Sequence, residues 1–378
     1  MNLVVKELDA ADRRLGSGWI SGVMGLFLAF AGLATVGCFC FPNVLTVADA
    51  RTFYVENHLW LRTLLHVVLV LAFCLGITSA TLRKQKALGF ATVSLVIVAS
   101  LLGGSQARAI TDGAGTIYLG LDFFLLNLIF LGVIFIPIER LLKKNNQPIL
   151  RYEWREDLLY FFISTLFVQT LAYLSLSPSL TLLATTEWAG GIRRAISSQP
   201  LALQFLEIMF LTDLVQYGFH RAFHQLPWLW KFHSVHHSAQ AMDWLAGSRM
   251  HLFEVIFLRS FTTLPMYVLG FAESALYAYI FMVYLLSVFI HANLRVPFGF
   301  LQYVIATPRF HHWHHGIEPE AIDVNFAIHF PVIDMVFGTW HMPGDRWPTG
   351  YGVGGHPVPT GFCAQFLYPF RSDPPVDG

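Results

Sequence analysis

Residues 220–237 read HRAFHQLPWLWKFHSVHH, and residues 311–315 read HHWHH. They contain three histidine clusters: His220-x-x-x-His224, His233-x-x-His236-His237 and His311-x-x-His314-His315. Histidines three and four positions apart share one helix face, with Cβ atoms about 5–6 Å apart. Such neighbours can close on a metal ion held by imidazole nitrogens at about 2.0–2.1 Å. Eight imidazoles on three faces are too many for one ion and suit two. The stretch predicts helices built around a dinuclear metal site.

The rest of the chain says where that site sits. Of 378 residues, 55% are hydrophobic and 13% charged, with a mean hydropathy of +0.55. Soluble domains carry about 25% charged residues, so the composition indicates a membrane protein. The formal net charge is zero, which gives no field for attracting nucleic acid. Cys38, Cys40, Cys74 and Cys363 form no C-x-x-C pair and no zinc-type or iron–sulfur set. The apolar run from Gly18 to Phe41 is too long for a signal-peptide core and reads as a retained first transmembrane helix.

Further apolar runs near the ~20 residues needed to cross a bilayer lie at roughly 60–82, 87–105, 116–138, 157–185, 201–219, 252–271 and 273–292. The fifth run contains Pro178, where a kink is expected, and the last two form a hairpin. The expected fold is an all-α polytopic membrane protein of about six to eight transmembrane helices. Lys6, Arg13 and Arg14 precede the first run; Arg83, Lys84 and Lys86 follow the second; Arg140, Lys143, Lys144, Arg151 and Arg155 follow the fourth. The intervening loops carry Arg51, Arg108, and the pair Arg193 and Arg194. The positive-inside rule then puts the N-terminus and all three histidine clusters in the cytoplasm, as a histidine-rich catalytic cap. Three regions are expected: a four-helix membrane segment, 1–150, without candidate catalytic residues; a catalytic region, 151–345; and an irregular Gly- and Pro-rich tail, 346–378.

Fourteen of the sixteen histidines lie at or beyond His220. Burying so many polar rings without a ligand would cost several kcal/mol. Imidazole suits zinc, copper, iron and nickel. Structural zinc sites often use cysteine, intramembrane zinc proteases use H-E-x-x-H, and haem proteins use isolated axial histidines. None of these patterns is present. Di-iron activation of O2 fits best, and a non-oxygenase metal-binding membrane protein or transporter is the alternative from another class.

Beyond the clusters, the chain contains RMHLFE (Arg249, His251, Glu254), HANL (His291, Asn293), TPRFHHWHH (Thr307–His315), DVNF (Asp323–Phe326) and DMVFGTW (Asp334–Trp340). In this order and with these gaps, residues 205–341 resemble the fatty acid hydroxylase / sterol desaturase superfamily of integral-membrane di-iron enzymes. The resemblance implies that His220, His224, His233, His236, His237, His311, His314 and His315 are metal ligands, with His291 a ninth. It places His312 on a spacer position, pointing away or supporting a ligand. Arg249, His251 and Glu254 read as a positioning network. Some relatives have a further histidine where this chain has Arg295, so Asn293 or water would serve there. Asn325 and Asp334 are expected to support ligands or define the fold, and His329, His341 and His356 have no assigned role.

The same resemblance implies a reaction: O2-dependent oxidation of an unactivated C–H bond in a membrane lipid. Hydroxylation is favoured, with desaturation of a sterol-like or acyl lipid as the alternative. The cofactors would be two iron ions and O2. With no flavin, nicotinamide or iron–sulfur fingerprint in the chain, electrons would come from a separate reductase through a cytochrome b-type or ferredoxin carrier, with Lys231 and Arg221 as contacts. Phe281, Tyr284, Phe289, Phe300 and Tyr303 flank the site as lipid-facing or substrate-facing groups. The membrane would be the inner or plasma membrane of a bacterium or the endoplasmic reticulum of a eukaryote. A homo-oligomer is left open.

Overall fold

The structure, a computed structural model, describes residues 2–9, 13–14, 16–107, 118–183, 190–354 and 358–371, so Arg108 and His356 lie outside the described residues. Among the described residues the fold is all-helical, with isolated β-bridges at Lys143–Leu294 and Gly316–Tyr351. The chain divides into two compact units: residues 1–130 with 165–169, and residues 131–164 with 170–378.

The first unit contains α1 (Asn2–Leu8), α2 (Trp19–Cys40), α3 (Pro42–Leu45), α4 (Ala48–Glu56), α5 (His58–Leu82) and α6 (Ala87–Leu101). Small residues let α2, α5 and α6 approach closely. A Cβ on Gly25 would meet Leu75 Cβ and Thr92 Cγ2 at 3.1 Å, and one on Gly89 would meet the Ala80 backbone nitrogen at 2.7 Å. Close packing of this kind holds helices together where lipid supplies no hydrophobic drive. Glu7 caps the start of α6, accepting from the Ala87 nitrogen at 2.7 Å and pairing with Arg83 at 3.2 Å.

Next along the chain come α7 (Leu121–Leu141), α8 (Trp154–Leu166) and α9 (Val168–Leu183). The second unit continues with α10 (Gly190–Ser197), α11 (Leu201–Gln225), α12 (Pro227–His237), α13 (Leu252–Leu269), α14 (Glu273–His291), α15 (Pro308–His314), α16 (Pro331–Phe337) and α17 (Phe362–Leu367). Among the described residues, six helical segments are long and apolar enough to cross a membrane: α2, α5, Ala87–Gln106, α7, α13 and α14. The pair α8 and α9 makes a seventh if counted as one bent span. The protein is an integral membrane protein.

Three sequence expectations are corrected here. The span expected over 201–219 falls in α11, which is not among the apolar helices; Gln204, Glu207, Asp213 and Gln216 break its apolar character. The bend in the 157–185 run is not at Pro178, which lies inside α9, but at the break between Leu166 and Val168, where the axes turn by 66°. A remote segment satisfies the helix groups there: Gly120 donates its N–H to the Leu166 carbonyl at 2.8 Å, and Tyr118 to the Gln169 side chain at 2.8 Å. Gly120 is required for that approach, since a Cβ would lie 2.8 Å from the Thr165 carbonyl oxygen. The tail is also less irregular than its Gly and Pro content suggests, because Phe362, Tyr368 and the buried Tyr160 and Val235 draw α17 onto an apolar cluster.

Candidate metal centre

Local sequence places the histidines. His220 and His224 sit on the last turns of α11, which stops before Pro227, and Pro227 opens α12 at a first-turn position where no backbone N–H is needed. That helix carries His233, His236 and His237. His291 is the last residue of α14. The Thr307 side chain caps α15 by accepting from the Phe310 nitrogen at 3.4 Å, and Pro308 begins the helix. His311 and His314 lie on it and His315 caps its end.

These nine rings converge in two groups, His220, His224, His233, His237 and His314 in one, and His236, His291, His311 and His315 in the other. Within each group the ligand-capable atoms lie within 4.8 Å of one another. In the first, Nε2 of His233 stands 3.0 Å from that of His220 and 3.1 Å from that of His237, which lies 3.2 Å from His224 and 3.1 Å from His314. In the second, Nε2 of His291 stands 3.2 Å from His236 and 2.9 Å from His311, with His315 3.1 Å from His311. The His237 and His315 rings stack at 4.3 Å, so the two groups are adjacent.

Hydrogen bonds on the far side of the rings assign the tautomers. Nδ1–H donates to the carbonyl of Phe326 from His220 (2.7 Å), of Arg249 from His236 (3.0 Å), of Ser287 from His291 (2.6 Å) and of Val324 from His314 (2.8 Å). His233 Nδ1 bonds Glu254 Oε1 at 2.5 Å, and His224 Nδ1 faces Asp323 at 3.3 Å. A ring that donates through Nδ1 presents a bare lone pair at Nε2. Lone pairs cannot bond one another, and a cation at the centre of each group could satisfy them. Neighbouring nitrogens around an ion held at about 2.1 Å stand about 3 Å apart at right angles, matching the observed spacing. Burial holds His233, His236, His237, His311, His314 and His315 well below the ordinary imidazole range, which keeps them neutral and able to ligate.

The remaining expected residues have varied roles. Glu254 touches a candidate ligand directly. Arg249 does so through its carbonyl, while its guanidinium bonds Asp157 and, at 3.0 Å, Glu153. His251 does not join the network: it caps α13 by accepting from Phe253 N–H at 3.1 Å, and its Nε2 bonds the Phe366 carbonyl at 3.0 Å. His312 points away from both groups, to the Tyr351 hydroxyl at 2.8 Å and the His291 carbonyl at 3.2 Å, and burial lowers its pKa to about 3. The Asn293 side chain is engaged with the Asn145 backbone, accepting at 2.8 Å and donating at 2.9 Å, so it is not positioned as a tenth ligand.

Asn325 and Asp334 define the loop that supports the rings. Asn325 adopts a left-handed φ of 57° and its amide donates to the Phe310 and His341 carbonyls. Asp334 accepts from the Phe326 and Ala327 nitrogens and the Thr339 hydroxyl. Lys231 and Arg221 bond within the chain, to the Arg371 carbonyl and the Tyr217 hydroxyl. Phe281, Phe300 and Tyr303 are exposed, as lipid-facing groups would be, whereas Tyr284 and Phe289 are half-buried.

Sequence reasoning missed several supports. Fully buried Asp213 accepts from the nitrogens of Ile328, His329 and Phe330, fixing the loop whose carbonyls hold His220 and His314. Arg151 bridges Asp157 and Asp243, and Glu139 accepts from the Trp244 and Asn293 nitrogens. Gly247 passes over His291, where a Cβ would lie 2.8 Å from Nδ1. The available signal for Asp213 was its placement in the 201–219 run, where an ionisable residue is costly unless it serves a purpose.

The fatty acid hydroxylase family model matches residues 205–339, which hold every one of these histidines. Ornithine lipid hydroxylase OlsE of Rhizobium tropici is 30% identical over 172 residues, covering 45% of this chain and 51% of that protein. Alkylglycerol monooxygenase of Danio rerio is 32% identical over 158 residues, covering 41% of this chain and 34% of that protein; the Homo sapiens protein of that name is 29% identical over 149 residues, covering 39% and 32%. The chain thus spans 32% to 51% of the length of these curated relatives. No solved structure matches it. These matches place a fatty acid hydroxylase domain at residues 205–339, the stretch that holds both histidine groups.

Proposed function

We propose that the protein is a di-iron monooxygenase that hydroxylates an unactivated C–H bond of a membrane lipid, with its metal centre on the cytoplasmic side. The observation that carries this is the pair of all-imidazole nitrogen groups, with the bare Nε2 of His220 and His314 turned into one and that of His236 and His291 into the other. His220, His224, His233, His237 and His314 would hold one iron, and His236, His291, His311 and His315 the other. Bound there, the two irons supply the O2 activation that cleavage of such a bond requires.

The chain's own residues position and shield. Phe326, Arg249, Ser287 and Val324 carbonyls and the Glu254 carboxylate fix the ring orientations, so the nitrogens need not reorganise on binding. Buried Phe326 packs against the rings of His220, His224 and His314 and excludes water there. Tyr284 lies seven residues before His291, on the same face of α14, and its hydroxyl is buried without a partner. In this proposal that hydroxyl meets a polar group of the lipid below the metals. The relatives' names, a hydroxylase of ornithine lipid and a monooxygenase of alkylglycerol, support a lipid substrate. Electrons arrive from a separate carrier. Lipids from cells expressing the protein under 18O2 test the proposal. One labelled oxygen in a lipid, absent with His314→Ala, is expected. A lipid that loses two hydrogens and gains no label would assign desaturation instead.

A further inference from the structure

Away from the histidines, an open groove of about 490 Å³ lies between α10, α11 and the α13–α14 hairpin. Its apolar walls are Ile196, Leu206, Phe210, Leu269 and Phe271. This volume is within the range of small-molecule sites, about 300–1,000 Å³. Glu207 and His220 are thirteen residues apart on α11, about 20 Å along the axis at 1.5 Å per residue. The groove is therefore separate from the metal centre.

Its walls are tied together by one buried side chain. The Gln204 amide donates to the Ser197 and Gln199 carbonyls at 3.3 and 2.9 Å, and its oxygen accepts from the Ala272 nitrogen at 2.8 Å. These three bonds fix the end of α10, the start of α11 and the hairpin as a unit. The groove also carries both signs of charge. Glu207 lines it, half-buried, with one oxygen accepting from the Gln199 amide at 3.1 Å. Arg193 stands at the rim for two reasons: it shares a face of α10 with Ile196, three residues on, and it packs on Gly270, between the lining residues Leu269 and Phe271. Gly270 has a φ of +75°, and a Cβ there would lie 2.9 Å from Arg193 Nε, so the bare backbone forms the seat of the guanidinium. Arg194 follows, exposed.

An apolar groove, a carboxylate inside it and a guanidinium at its rim, with the exposed Arg194 on the next residue, complement a long alkyl chain, a cationic amine and an anionic phosphate. We infer that this groove binds an amine-bearing phospholipid, with an acyl chain against Leu206 and Phe210, the amine on Glu207 and the phosphate on Arg193 and Arg194. The inference does not depend on the proposed reaction.

The full chain, purified in detergent, is equilibrated with equimolar phosphatidylethanolamine, phosphatidylcholine and phosphatidylglycerol and examined by native mass spectrometry. Phosphatidylethanolamine is expected as the main single adduct. Glu207→Gln should reduce its preference over phosphatidylcholine at least fivefold. Arg193→Ala with Arg194→Ala should lower retention of all three, and Leu206→Trp, which fills the groove, should abolish the adduct. Each variant is compared at an unchanged elution volume and thermal midpoint. Equal retention of the three lipids, preference for phosphatidylglycerol, or an adduct unaffected by Leu206→Trp in folded protein would overturn the inference.

Discussion

Replacing Glu254 by Gln removes a charge from the bond that orients His233, while preserving size. In the native chain Glu254 Oε1 lies 2.5 Å from His233 Nδ1, and Oε2 is buried without a partner. A hydrogen bond to an ionised group contributes about 1.5–3 kcal/mol, against about 0.5–1.5 for a neutral one. The substitution should therefore cost about 1–2 kcal/mol, or about 5- to 30-fold in affinity for the ion that His233 helps to hold. This overlaps the ~10–100-fold typical of losing a partner behind a metal-bound histidine. The effect should be local, because Glu254 touches none of the four rings of the other group. Anaerobically iron-loaded protein is titrated with a competing chelator and retained metal per chain is counted. One ion should leave at about tenfold lower chelator in Glu254→Gln, with the other unmoved. Equal shifts for both ions, or none for either, would contradict the assignment of Glu254 to the five-histidine group.

Three further outcomes are expected. His311→Ala should lose one of two ions, whereas His312→Gln should keep both, since His312 faces Tyr351 and the His291 carbonyl; metal counting separates them. Tyr284→Phe should raise the apparent KM for the lipid severalfold with metal content unchanged, and an unchanged KM in the hydroxylation assay would remove that contact. Burial lowers the His329 pKa from 6.5 to about 4, so the unfolded chain takes up its proton first as pH falls. The associated stability is present above about 6.5 and is lost toward 4, at up to about 1.4 kcal/mol per pH unit. Thermal midpoints between pH 7 and 4 should fall less steeply in His329→Gln than in the native chain.

The histidine clusters were legible in the sequence because helical spacing alone sets which rings share a face, and α11, α12 and α15 carry HRAFH, HSVHH and HHWH, with His315 capping α15. His291 came only from resemblance; one histidine at a helix end has no spacing partner. Asp213 was hidden for a different reason. Asp213 and Asp334 bind backbone nitrogens of the loop at 326–330, and nothing local to Asp213 marks a partner more than a hundred residues away. The bend after Leu166 was unreadable on the same ground, since its cause is the backbone at Tyr118 and Gly120. Pro178 gave a false signal: a helix carbonyl left without an N–H partner did not break α9. His251 shows the limit of motif reading, for its place in RMHLFE suggests support of the metals while its bonds cap a helix.

Iron and zinc per chain should be measured in anaerobically purified protein, with Mössbauer spectra before and after O2. Two ferrous ions per chain, both oxidised on exposure to O2, are expected from the five- and four-histidine groups. A single ion, or redox-silent zinc in protein from iron-replete cells with mismetallation excluded, would contradict a di-iron oxygenase.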